Sequence, residues 1–399
     1  MSHSPTMTKL FVLCVFIVSG AAFYCYVGSE HGHEIMAYKR ASMLFEHGID
    51  PYKKANLLEP LVAEVSSYTL SGLMVWNPPT LFIGFKPLLS LNTPFLAHYW
   101  TLTCIIIAFG TTYLLTLLYG SINRIYTAVC CTAILWCSPA LRLDLTTGQM
   151  ATILSCVATM SVVLFLKEYF FVSGFLLSLL IIKPHIFSLV FLTLLLISFR
   201  KRTLRFVSGL ICGGLFQALL AEIRFPGIWK LWLFREEWPF QNNIGASLGS
   251  LLSNAPYRFN HYLSYLPFVI FTLFLLVKIF KNNYFHHKAI QEHIVALALI
   301  LSPLASPYGF LFDQMVSLSA AVLLVCWNQH KRRIIPYLFM LSMTVVYAAR
   351  HYFNGNEWNQ LMLIFEAEAS MPALFFLIGL YCYRLQEKQL RERVQHATL

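Results

Sequence analysis

Residues 10–27, LFVLCVFIVSGAAFYCYV, run for 18 positions without a charged side chain. At about 1.5 Å of rise per residue such a helix is about 27 Å long, close to the roughly 30 Å hydrocarbon thickness of a bilayer. With Lys9 just ahead of it, the run could imitate a secretory signal. It is longer than the apolar region of a signal, about 7–15 residues, and Tyr24 and Tyr26 stand where a cleavage site wants small residues. It is read as an uncleaved first transmembrane helix.

The same texture fills the chain. Of 399 residues, 58% are apolar and 12% charged, against about 25% charged in a typical soluble protein. Apolar runs bounded by charge or by Pro and Gly recur near 95–119, 124–138, 148–166, 169–182, 185–199, 204–222, 261–280, 289–302, 310–327, 334–349 and 361–382. The expected fold is therefore all-α: one polytopic membrane domain over 1–399 with about 12 transmembrane helices. A soluble enzyme with one anchor is excluded. The run 81–91 is too short to cross, holds Lys86 and follows Pro78-Pro79, so a half-crossing or interfacial piece is expected there.

The net charge of +11 would point to nucleic acid on a soluble chain. On a polytopic chain it reports topology, because cytoplasmic loops collect Lys and Arg, and no nucleic-acid partner is expected. With the N-terminus inside, the inner segments hold 17 cations and four acids (Glu168, Glu292, Glu387 and Glu392), and the outer side holds 12 cations and 14 acids. Both termini are thus expected in the cytoplasm, with a basic tail at 383–399. Two outer segments, 28–79 and 225–260, are too long to be simple connections, and loops of that kind tend to carry function. The compact loops favour the cell membrane of a bacterium, its inner membrane. The ten cysteines all lie in or beside apolar runs with no CxxC, and read as small apolar residues. There is no evident internal repeat, no GxGxxG and no GxxxxGK[ST].

In the first outer segment, 34–47 reads as a helix stopped by Gly48 and an Asp50-Pro51 turn. At 100° per residue Glu34, Tyr38, Ala41 and Phe45 share a face, with Lys39, Arg40, Glu46 and His47 pointing roughly the other way. Such a helix is expected to lie along the membrane interface. Glu34 is then either an acid favoured by the helix N-terminus or a functional carboxylate.

That acid, with Tyr38 four residues on, Ala41 and then Gly48 and Asp50-Pro51-Tyr52 after a first transmembrane helix, resembles the opening of glycosyltransferase family 87 of the GT-C superfamily. Further pieces resemble the family in order: Trp76-Asn77-Pro78-Pro79-Thr80 with Lys86-Pro87-Leu88; Gly148-Gln149 opening an apolar helix; Lys183-Pro184-His185; Asn243 with Ser247-Leu248; and Ser306-Pro307-Tyr308 with Asp313. The family usually carries Asp where this chain has Glu34, which is one methylene longer.

The resemblance implies transfer of a sugar, often mannose, from a polyprenyl phosphate donor to an acceptor hydroxyl of a glycolipid or glycan on the non-cytoplasmic face. The lipid-linked sugar is a substrate, and no cofactor or metal is expected, there being no Asp-x-Asp pair. One carboxylate must take the acceptor's proton, and cations must stabilise the departing phosphate. Glu34 is the expected base, with inversion, since a double displacement would need a second, nucleophilic carboxylate. Tyr38, Gln149, Lys183, His185, Asn243, Asp313, Arg350 and His351 form the expected substrate-binding set.

Each of these has a plainer reading from the residues alone. Lys183 either faces a polar cavity beside His185 or snorkels, and Lys86 reads as a snorkeller. Arg350 and His351 are a second cationic pair or interfacial anchors. Asp313, costly in lipid, must pair with a cation or a sugar hydroxyl. Gln149 and Asn243 bond sugar hydroxyls or satisfy helix ends. Trp229, Trp232 and Trp238 suit an interfacial belt or sugar stacking. Two other functions share much of this inventory: a transporter or flippase for lipid-linked sugar, which needs no base, and a polymerase or ligase using a diphosphate-linked donor.

Overall fold

The computed structural model describes residues 5–27, 33–53, 77–119, 124–136, 138–235, 263–282, 284–306 and 311–327, with scattered positions between 380 and 392. Among these residues every regular element is a helix. In chain order they are α1 (Pro5–Val27), α2 (His33–Glu46), α3 (Thr80–Phe85), α4 (Thr93–Tyr119), α5 (Arg124–Trp136), α6 (Pro139–Thr147) and α7 (Ala151–Leu166). There follow α8 (Phe170–Ser178), α9 (Pro184–Arg200), α10 (Arg205–Arg224), α11 (Ile228–Leu233), α12 (Leu266–Phe280), α13 (Lys288–Ala305) and α14 (Met315–Trp327). Short 3₁₀ turns sit at Lys86–Leu88, Leu179–Ile182 and Leu311–Gln314.

Among the described residues four helices are long and apolar enough to cross a bilayer: Thr6–Val27, Phe95–Tyr119, Arg205–Arg224 and Lys288–Ala305. Shorter apolar helices cover 151–166, 170–182, 184–200, 266–280 and 315–327. The chain has the character of a membrane protein, and its surface agrees. Ile17 and Val18 on α1, Ile106 on α4, Leu215, Leu219 and Ile223 on α10, and Leu273 on α12 are exposed, a pattern that water would penalise and lipid would not. The expected runs 334–349 and 361–382 lie outside the described residues, apart from Leu380 and Tyr381.

The run 124–138 stops at its proline boundary, with α5 ending at Trp136, and a further helix, α6, leaves at 56° to it. The local cause is Ser138-Pro139: the Ser138 hydroxyl accepts from Leu141 N at 3.0 Å as an N-cap, and Pro139 begins a new helix where its missing N–H costs nothing. One expectation needs correcting: the charged side of α2 is not open along its length, since Lys39 and Arg40 are as buried as the apolar stripe (6% and 2% exposed) and only His47 at its end is exposed. The amphipathic reading assumed one partner for this helix. In fact α3 packs on the stripe, Phe85 against Tyr38 at 5.6 Å and Phe82 against Phe45 at 5.2 Å, while the loop after it reaches the other side, where the Lys39 ammonium donates to Leu91 O. The segment 80–88 is one short α-helix and a 3₁₀ turn, at about 1.5–2 Å per residue far too short to cross.

The core is built by aromatic and small-residue packing. Phe16 meets Tyr113 at 5.9 Å, Phe23 meets Phe109 at 5.9 Å and Trp136 at 5.1 Å, and Tyr24 Oη bonds His98 Nδ1 at 2.9 Å, so α1 runs antiparallel to α4. Helices α8 and α10 touch backbone to backbone: a Cβ at Gly174 would lie 2.1 Å from Phe206 O, and one at Gly209 2.1 Å from Phe171 O. Helix α13 is buried from Ile294 to Ala305, which its apolar circumference requires.

Polar contacts sort into the two ends of the bundle. At one end Arg142 donates to Tyr26 Oη at 3.1 Å, and Glu46 pairs with both Lys86 (3.2 Å) and Arg224 (2.5 Å). At the other, Tyr119 meets Trp327 at 6.1 Å, Arg200 donates to Asn282 O at 3.3 Å, and the Lys278 ammonium lies 4.4 Å from the Tyr383 ring centre. The first group belongs to segments that the charge count puts outside, the second to segments that it puts inside.

Candidate functional site

The site forms at the first of these ends, where four breaks in helical structure meet. The first is the turn between α6 and α7. Gly148 takes φ +74°, the left-handed conformation in which a Cβ is penalised, and closes α6. Asp144 then reaches forward: its Oδ1 accepts from Ala151 N and its Oδ2 from Thr152 N, each at 3.0 Å, which caps α7. Gln149 is held between, its N–H donating to Asp144 O at 3.0 Å and its C=O accepting from Trp100 Nε1 at 3.0 Å. Gln149 therefore belongs to a tight turn, and α7 itself begins at Ala151.

The second break lies between α8 and α9. Lys183 precedes Pro184, a position from which the helical region is disfavoured, and it is extended at φ −134°, ψ 66°. Asn77 Nδ2 donates to Ile182 O at 3.1 Å, and Tyr52 Oη donates to Asn77 O at 3.0 Å. The Asp50-Pro51-Tyr52 and Asn77-Pro78 motifs are thereby tied to the Lys183 break. The third break is the 3₁₀ turn before α14 that holds Asp313, and the fourth is the start of α2 with Glu34 in its first turn.

These breaks bring five of the expected residues into one network. Lys183 Nζ donates to Asp313 Oδ1 at 3.1 Å and to Gln149 Oε1 at 3.0 Å. Tyr38 Oη donates to the same Gln149 oxygen at 2.8 Å. Glu34 lies within hydrogen-bonding reach of the Gln149 side chain and feels the charges of Lys183 and Asp313. Asp313 is fully buried, and Tyr38, Gln149 and Lys183 nearly so (3%, 4% and 7% exposed), whereas Glu34 keeps partial exposure. His185 lies within electrostatic reach of Asp313 and Lys183. Burial lifts the Glu34 carboxyl above the ordinary glutamate range; Lys183 and the Gln149 hydrogen bond pull it down, and Asp313 pushes it further up.

The arrangement contains a partly open carboxyl, raised above the ordinary glutamate range by burial, next to a buried ammonium that pairs with Asp313 at 3.1 Å. It can take a proton at Glu34 and offer Lys183 to an anion. Among the described residues no group of three or more His, Cys, Asp and Glu could hold a metal ion, and the described cysteines are all free thiols.

The remaining expected residues separate from this cluster. Asn243, Arg350 and His351 lie outside the described residues, as do Trp238, Ser247-Leu248 and Pro307-Tyr308. Trp229 and Trp232 pack edge to face at 5.7 Å, with Trp229 Nε1 donating to Ala218 O at 3.1 Å, so they brace α11 against α10. Lys86 pairs with Glu46 at 3.2 Å instead of simply snorkelling. Sequence reasoning passed over Asp144, although an acid four residues ahead of a Gly-Gln turn is a cap signal, and over Trp100, which carried no signal. No protein-family model matches the chain, and no curated protein matches it.

Proposed function

We propose that this chain is a GT-C type glycosyltransferase resembling family 87, a hexosyltransferase that moves a sugar, mannose by resemblance, from a polyprenyl phosphate to an acceptor hydroxyl. In this reading it has about 12 spans, termini in the cytoplasm and the Glu34 end on the non-cytoplasmic face of a cell membrane. The observation that carries the reading is the convergence of Glu34, Tyr38, Gln149, Lys183 and Asp313, drawn from segments as far apart as residues 34 and 313, on one buried network.

Glu34 removes the acceptor's hydroxyl proton as that oxygen attacks the anomeric carbon. The bond from that carbon to the phosphate oxygen breaks on the opposite face, polyprenyl phosphate departs with the electron pair, and the anomeric centre inverts. Lys183 stabilises the charge that collects on the leaving phosphate. Since Asp313 already meets that ammonium, the phosphate must share it, and Asp313 fixes where the ammonium sits.

The test is transfer of labelled mannose from polyprenyl phosphate to a membrane lipid extract in proteoliposomes, wild type against Glu34→Gln. Transfer is expected to fall about 10²- to 10⁴-fold in the variant. In the wild type the rate should fall on the acid side at a pH above the ordinary glutamate value of about 4.3, because a raised carboxyl is protonated, and lost as a base, at higher pH. Full transfer by Glu34→Gln together with none by Asp313→Asn removes Glu34 as base. If no monophosphate donor supports transfer while lipid-linked sugar crosses the bilayer, the protein is a carrier.

A further inference from the structure

Gln149 carries an arrangement that a sugar-binding amide would not need. A lysine ammonium donates and never accepts, so the end of the amide that meets Lys183 at 3.0 Å must be the carbonyl oxygen. Tyr38 Oη donates to that same oxygen at 2.8 Å, which fills both of its lone pairs. The amide plane is thus set by two donors from different elements, and the backbone is set separately by Trp100 and Asp144. What remains is the NH₂ end, and Glu34, one turn ahead of Tyr38 on the same face of α2, lies within its reach. An ionised carboxylate accepts only, so donor and acceptor match with no rotation of the amide.

We propose that Gln149 is a positioning residue that aims the Glu34 carboxylate, and is not a ligand for the sugar. This rests on the reading of Glu34 as the base. One N–H of Gln149 holds one carboxylate oxygen, and the partly exposed side of Glu34 is left for the acceptor hydroxyl. Tyr38 and Lys183 act on Glu34 through the same amide: each locks its orientation, and Lys183 adds its charge. The charged and titratable groups around Glu34 are Lys183 from the α8–α9 break, Asp313 from the turn before α14, and Tyr38 on its own helix. Asp144 on α6 and His185 on α9 act at one remove, through Lys183. Against that background Gln149 is the neutral group that favours the ionised form.

The experiment reads Glu34 directly. The carboxylate band of ¹³C-glutamate-labelled protein in lipid is titrated by difference infrared spectroscopy, the Glu34 component being assigned by its loss in Glu34→Gln. In Gln149→Met the Glu34 midpoint is expected to rise by about one to two pH units, the worth of a hydrogen bond to a charged group. In Gln149→Glu, which keeps the shape, it should rise further through like-charge repulsion. With the donor assay, kcat should fall with little change in the donor KM, and the lost rate should return in part at alkaline pH. An unmoved midpoint in both variants overturns the proposal, as does a loss confined to the donor KM. If the midpoint moves while the wild-type protein transfers no sugar, the orienting role stands and the glycosyltransferase reading fails.

Discussion

Breaking the Lys183–Asp313 pair tests the network at its most expensive contact. The two charges are 3.1 Å apart with side chains 8% and 1% exposed. At an effective dielectric of about 20 their attraction is about 5 kcal/mol, most of it offset by the desolvation of both groups. Removing one partner forfeits the attraction and leaves the desolvation. Lys183→Met should therefore destabilise the protein by about 3–5 kcal/mol, because it takes the facing ammonium from a buried carboxylate. In the double variant Lys183→Met/Asp313→Leu both charges are gone, and most of that loss should be recovered. The residue is about 1 kcal/mol from the Gln149 oxygen, which keeps only its bond from Tyr38. Equilibrium unfolding in mixed micelles measures all four corners of the cycle, with intrinsic tryptophan fluorescence as the signal. A strongly negative coupling, the double variant more stable than Lys183→Met alone, is the expected result. If the two single losses simply add, the residues do not share one buried pair, and the geometry of the site is wrong. Both variants should lose transfer, so activity and stability would part company in the double variant.

Two other perturbations test the elements that place the site. Gly174→Ala and Gly209→Ala each drive a Cβ to 2.1 Å from a backbone oxygen of the facing helix, so α8 and α10 must separate; overpacking of this kind costs about 1–3 kcal/mol or more. Gly214→Ala, with open space around it, should be silent in the same thermal-stability measurement by detergent size exclusion. Asp144→Ala removes both caps of α7 and should cost about 0.5–2 kcal/mol. Asp144→Asn, which keeps one acceptor oxygen, should fall between; equal losses for the two variants would mean that capping is not what Asp144 contributes.

The membrane character was legible because it depends on composition over windows as long as a helix, and no tertiary contact can hide 18 uncharged residues at 10–27. Helix ends were less legible. The run 124–138 was bounded at Pro139, but the helix that the Ser138 cap and Pro139 start there, α6, is too short and too polar to show as an apolar run. The sidedness of α2 was misread for a different reason. A helical wheel assumes that water or a headgroup layer lies opposite the apolar stripe. Around α2 part of that place is taken by the loop reaching Leu91, which Lys39 bonds, and both Lys39 and Arg40 are buried.

For the site, the useful signal was cost. A carboxylate and an ammonium within apolar stretches cannot stand alone, and from that alone Asp313 was expected to find a cation or a hydroxyl and Lys183 a polar neighbourhood. Which partner each would find is a tertiary matter, since 130 residues separate them. Even so, the local devices that make the meeting possible are all written in the chain: Pro184 forces Lys183 out of helix, Gly148 turns Gln149 inward, and the 3₁₀ turn lets Asp313 leave the helical ladder. Each break frees a polar side chain from the regular face of a helix. A polar group freed in an apolar surrounding has few places to go except toward another such group. On that logic, breaks in helical pattern that carry a polar residue are the positions from which a buried site in a helical membrane protein is assembled. Glu34, in the first turn of α2, differs from the others in keeping partial exposure, and partial exposure is what a base that must meet an incoming hydroxyl requires.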